Sequence, residues 1–116
     1  MNEITFNEWQ KIDIRTGKII DVEDIEGADK LYKLKVDLGN EKRTLVAGLK
    51  QHYSKEELKG KRCIVLVNLE PKKLKGVESK GMILAAVSEN GDEKRVVLLQ
   101  PKFEVSEGTK VEFKNG

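Results

Sequence analysis

HYSKEELKGK (residues 52–61) interrupts a chain that otherwise alternates apolar and polar side chains. Ser54, followed three residues later by Glu57, is a capping box: the hydroxyl takes an orphan amide of the first turn and the glutamate returns to the serine amide. Gly60 can take the left-handed conformation that ends a helix. One short helix is expected here, with strands on both sides.

Toward the N-terminus, RTLVAGL (43–49) reads as a strand and GNEK before it as a hairpin turn. LYKLKVDL (31–38) alternates cleanly, with Tyr32, Leu34, Val36 and Leu38 on one face and Lys33, Lys35 and Asp37 on the other. EGAD (26–29) is a turn. IDIRTGKIIDVEDI (12–25) is a long strand that Gly17 should bend or bulge. ITFNEWQK (4–11) has helical spacing, Phe6 and Trp9 sharing a face and Thr5 or Asn7 free to cap.

Toward the C-terminus come RCIVLVNL (62–69), a lysine-dense linker, GMILAAVS (81–88), the turn NGDEK, RVVLLQP (95–101) and an extended piece, TKVEFK (109–114). Three antiparallel strands, a short helix and two more strands is the order of a five-stranded Greek-key OB barrel. An SH3-like barrel puts its helical turn between the last two strands, so the helix position favours OB. The expectation is an all-β domain over residues 1–116, with an N-terminal helix and a C-terminal extension.

Composition excludes several classes. No apolar run approaches the roughly 20 residues of a membrane span, and MNEITFNEWQ lacks the apolar stretch of a signal peptide. The single cysteine, Cys63, lies in an apolar strand pattern, leaving no disulfide framework or cysteine metal site and suiting a reduced cytoplasmic compartment. The one histidine, His52, reads as a cap or surface residue some ten positions from Cys63, so no nucleophile–base pair stands out. No glycine-rich phosphate loop opens a helix. Neither catalysis nor a cofactor is expected.

The net charge of +2 hides an asymmetry. Residues 1–29 carry three basic side chains against eight acidic, and residues 30–80 fourteen against six. A basic middle can attract polyanions. Lys33 and Lys35 project together from the face of their strand opposite the core. In an OB barrel that face, with the loops joining strands one–two and four–five, is the usual oligonucleotide platform. Lys30 lies at the first loop, and Lys72, Lys73, Lys75 and Lys80 crowd the second. Single-strand binders of this fold stack bases on exposed aromatics, which are scarce here, so phosphates and folded RNA shape fit better.

The segments KIDIRTGKI, GADKLYKLKVDLG, VAGL, HYSKEELKGK and VNLEPKKLKGVESKGMILAA, in that order, resemble the tRNA-binding domain family from about Phe6 to the C-terminus. Its members are appended to methionyl-tRNA synthetases or stand free as tRNA-binding proteins. The block from Asn68 to Met82 and the turn ADKL (28–31) carry the likeness most specifically. The resemblance implies a non-catalytic module that holds structured tRNA and raises the tRNA affinity of a methionyl-tRNA synthetase catalytic chain. It implies that Ser79 and Met82 sit at or under the tRNA-facing surface, with Asn68 and Lys30 in the same region. Met82 reads equally as the first core residue of the fifth strand. Asp13 and Arg15 match the family's first-strand pair, which reads as site or as structure.

The family also implies homodimerisation through the N-terminal helix and C-terminal extension. Phe6, Trp9, Val111 and Phe113 are apolar residues on pieces a minimal barrel does not need; they form a dimer interface or cap the barrel ends. A more distant branch, a bacterial export chaperone, shares fold and dimer but binds polypeptides. The intact ADKL turn and lysine block favour tRNA over that alternative.

Overall fold

A computed structural model describes residues 2–113. Thr5 caps the helix α1 (Phe6–Gln10) with a complete capping box to Glu8. The strands β1 (Ile14–Asp24), β2 (Tyr32–Asp37) and β3 (Lys42–Ala47) follow, then the helix α2 (Lys55–Leu58), capped by Ser54 and Glu57. After β4 (Arg62–Leu66) come β5 (Lys72–Leu74), β6 (Val77–Ser79), β7 (Met82–Ile83), β8 (Ala85–Asn90) and β9 (Glu93–Leu98).

One antiparallel sheet in the order β3-β2-β1-β4-β7 curls into a nearly closed, OB-like barrel. The strand alternation predicts its filling: Ile19, Leu34, Val36, Leu45, Cys63 and Val65 are fully shielded inside, and Leu58 of α2 plugs one end. Tyr32 also faces inward, as expected, and its hydroxyl donates to the Tyr53 carbonyl at 2.8 Å.

The long first strand differs from its expected form at one point. Its register on β2 slips between Ile19 and Asp21, not at Gly17. The extra residue turns both Ile19 and Val22 inward and leaves Asp21 and Glu23 facing out. Gly17 serves a close approach instead: a Cβ there would lie 2.8 Å from Val36 Cγ1.

The GMILAAVS run is not one strand. β7 pairs with β4 through Val65–Ile83 and Leu66–Met82 only, and the chain then leaves to form a separate β8–β9 hairpin. From Ala85 to Asn90 the one large apolar side chain is Val87, itself 57% exposed, so the segment offers the barrel no continuous apolar face. β9 ends at Leu98, short of Pro101, and Tyr53 anchors it: its hydroxyl accepts the Leu98 N–H at 3.1 Å and donates to the Val96 carbonyl at 3.0 Å. The expected C-terminal strand reduces to a bridge between Arg15 and Lys110. Its last residue, Lys114, lies outside the described residues.

Candidate nucleic-acid interface

The lysine-dense linker is itself a β-hairpin, where a loop was expected. β5 and β6 pair through Lys72–Ser79, Lys73–Glu78 and Leu74–Val77. Lys75 and Gly76 form the turn, both at positive φ (50° and 81°), the hand that matches twisted strands. Leu74 and Val77 pack on a second apolar cluster of Ile25, Ala28, Val46 and Leu31. This cluster joins the hairpin to the outer side of β3 and to the ADKL turn, bringing Lys30 to the same region as the hairpin lysines.

Ser79 is 1% exposed. Its hydroxyl accepts the Val46 N–H at 3.0 Å and donates to the Gly81 carbonyl at 2.9 Å, while the Lys80 N–H donates to Thr44 O. The end of β6 is thereby stitched to the edge of β3. Ser79 lies beneath the surface and offers no hydroxyl to a ligand. Met82 is half-buried where β7 meets Leu66.

Lys33 and Lys35 do project outward, but not alone. Their cross-strand neighbours are Glu23 and Asp21, and Lys33 Nζ sits 3.8 Å from the Glu23 carboxylate. A depression of about 180 Å³ runs between these four side chains. Sharing Lys33 and Thr44 with it, a trough of about 580 Å³ continues to the hairpin, where Lys42, Arg43 and Lys80 join. Glu78 faces Lys73 across the hairpin and lies 4.0 Å from Lys80. Among the described residues, Lys30, Lys35, Lys72, Lys73 and Lys75 make no ion pair within 4.0 Å. The face is thus graded, mixed in charge at β1 and β2 and basic at the hairpin.

A family model described as "Putative tRNA binding domain" matches residues 14–110. The chain belongs to the tRNA-binding domain family. This tRNA-binding domain is 55% identical over 111 residues to the methionine–tRNA ligase of Pyrococcus furiosus, covering 96% of this chain and 15% of that protein's length. A methionyl-tRNA synthetase-related protein from Pyrococcus horikoshii superposes at a TM-score of 0.88 with 41% identity, covering 97% of this chain and all of that one. The CsaA chaperone protein from Picrophilus torridus superposes at 0.84 with 36% identity, covering 95% of this chain and 100% of that one.

Other expected residues of the tRNA-binding domain are occupied within the fold. The Asn68 carboxamide accepts the Asp13 N–H at 2.8 Å and donates to the Lys11 carbonyl, tying the segment before β1 to the end of β4. Arg15 pairs with Asp13 at 2.8 Å and donates to Gly108 O, so this pair has a structural role. Phe6 and Phe113 meet edge to face, ring centroids 6.2 Å apart, and with Trp9 line a depression of about 220 Å³. Val111 is held nearby by its N–H to Ile14 O. Phe6 and Phe113 remain 56% and 61% exposed, so together they leave an apolar face open. Burial pushes the Cys63 thiol up to about 12, away from a nucleophile's range. No helix among the described residues is long and apolar enough to cross a membrane.

The outward facing of Asp21 and Glu23, the partners of the lysines, is not legible in the sequence, because a bulge sets it. Nor is the role of Arg43, whose only local signal is a basic residue near a strand start.

Proposed function

We propose that this chain is a non-catalytic module that holds tRNA by its phosphates, along the β5–β6 hairpin and the trough beside it. The observation that carries the reading is the docked hairpin, which presents Lys72, Lys73 and Lys75, none of them in an ion pair among the described residues, in the region of the ADKL turn. An exposed cationic ridge with few aromatics suits the backbone of a folded RNA better than splayed bases. As one unit of a homodimer closed over Phe6, Trp9, Val111 and Phe113, it would give a methionyl-tRNA synthetase a second weak hold on tRNA and so raise its effective concentration. The setting is the cytoplasm, with no cofactor required.

Titration with tRNA at several salt concentrations tests this. Log affinity should fall linearly with log salt, and tRNA should outcompete unstructured RNA. Replacing Lys72, Lys73 and Lys75 together should weaken binding and flatten the slope by about three units at most, with the melting temperature unchanged. Unchanged affinity in the folded triple variant sinks the placement of the site. Salt-insensitive capture of unfolded polypeptide with indifference to tRNA would favour the chaperone reading, which the likeness to the CsaA structure keeps in play. Sedimentation of the chain with Phe6 and Phe113 replaced by serine reads the dimer.

A further inference from the structure

The hairpin excursion leaves the barrel after Val67 and returns at Lys80, and one side chain grips both ends. Arg43 Nη1 donates to the Val67 carbonyl and, at 3.3 Å, to the Lys80 carbonyl. Its Nε and Nη2 donate to the two oxygens of Glu41, at 2.6 and 3.3 Å. Directly opposite Val36 in the β2–β3 register, Arg43 starts on the barrel side and runs along the rim, its side chain 23% exposed. The Ser79 hydroxyl and the Lys80 amide fix only the returning arm to β3. The outgoing arm is tied at its root to the segment before β1, through the Val67 N–H to Asp13 O and the Asn68 carboxamide, but among the described residues Glu70 and Pro71 make no hydrogen bond to β3.

We infer that Arg43 is a positioning residue for tRNA binding: braced by Glu41, it holds Val67 and Lys80 together and so sets the angle at which the lysine hairpin stands on the barrel. This rests on the tRNA reading above. A guanidinium is a planar fork that can bond two carbonyls and a carboxylate at once, whereas the lysine ammonium is a point charge on a flexible stem. With the guanidinium so engaged, Arg43 is not a free phosphate contact, although it lines the trough.

The decisive variant is Arg43→Lys in the 116-residue chain, which keeps the charge and removes the fork. Without RNA, amide exchange of the Lys80 and Val46 N–H groups should accelerate at least tenfold, while Leu34 and Val65 in the core keep their protection. With tRNA, affinity should drop roughly tenfold with the salt slope unchanged, because the charge count is the same. Glu41→Gln, which leaves the arginine in place but unbraced, should accelerate the same amides by less and serves if Arg43→Lys fails to fold; exchange alone is compared there, because this variant also removes a carboxylate from the trough lining. Wild-type affinity in Arg43→Lys, or wild-type exchange at Lys80, overturns the proposal. If the unmodified chain does not bind tRNA, the functional reading fails and the tRNA role of Arg43 with it. The exchange data then report only a structural bracket.

Discussion

The Ser79 hydroxyl accepts from a buried amide and donates to a carbonyl, so it sits in the strand pairing as a backbone group would. Removing it strands the Val46 N–H away from water, which costs about 1–3 kcal/mol for a buried donor left unmatched. Ser79→Ala should therefore lower stability by that amount in urea unfolding and weaken tRNA binding through a loosened hairpin. A variant as stable as the parent would mean that water replaces the hydroxyl. The motif singled out this serine, yet its type and position could not distinguish a ligand contact from the internal tie that it forms. That distinction depends on Val46, thirty-three positions away in sequence.

Between elements, Asp24 at the end of β1 receives Lys55 of α2 at 2.6 Å and Lys50 at 3.1 Å. Hydrogen bonds from Lys55 first, then Lys50, hold its carboxyl below the ordinary value of 3.8. Arg43 does the same for Glu41, and the Ser54 backbone amide for Glu57, both from 4.5. A carboxylate whose folded value is depressed contributes stability above its unfolded value and loses it as pH falls through the folded one. The melting temperature should thus be level from pH 7 to about 5 and decline below about pH 4. At low salt, Asp24→Asn should melt lower at pH 7 and decline less steeply in acid. Parallel pH profiles for the two proteins would remove Asp24 from the account. The capping box and its helix were legible from HYSKEELKGK, because capping is local. The clamp onto β1 was not, since Asp24 and Lys55 meet only once the barrel has rolled up.

Across the whole molecule, the C-terminal tail takes the edge of β1 that β2 leaves free. Gly108 N–H donates to Thr16 O, the Thr16 N–H to Thr109 O, and the Val111 N–H to Ile14 O. The crossing requires Gly108 against Gly39: a Cβ on Gly108, at φ +83°, would lie 2.2 Å from Leu38 O. Gly108→Ala should cost upwards of about 2 kcal/mol, since the left-handed conformation alone costs about 1–2 kcal/mol and backbone must also shift. Gly27, at φ +77° with open space around its Cβ direction, is the control and should show the conformational part only. Equal losses in the two variants would mean that the tail is not seated as described. Seating the tail also brings Phe113 to Phe6, so the same variant should weaken any dimer formed over that face.

Strand alternation, the capping box and the segment order determined the barrel class, the position of its helix and the inward set of Tyr32, Leu34 and Val36. These follow from short-range periodicity, which each segment carries in full. Which residues share the outer face, and what each polar group does there, was decided only by the tertiary structure. One bulge residue put Asp21 and Glu23 beside the strand lysines, and two apolar side chains, Leu74 and Val77, turned an apparent loop into a docked hairpin. Such outcomes depend on register and on partners far apart in the chain. Their energies exist only between segments, so no single stretch of sequence contains them.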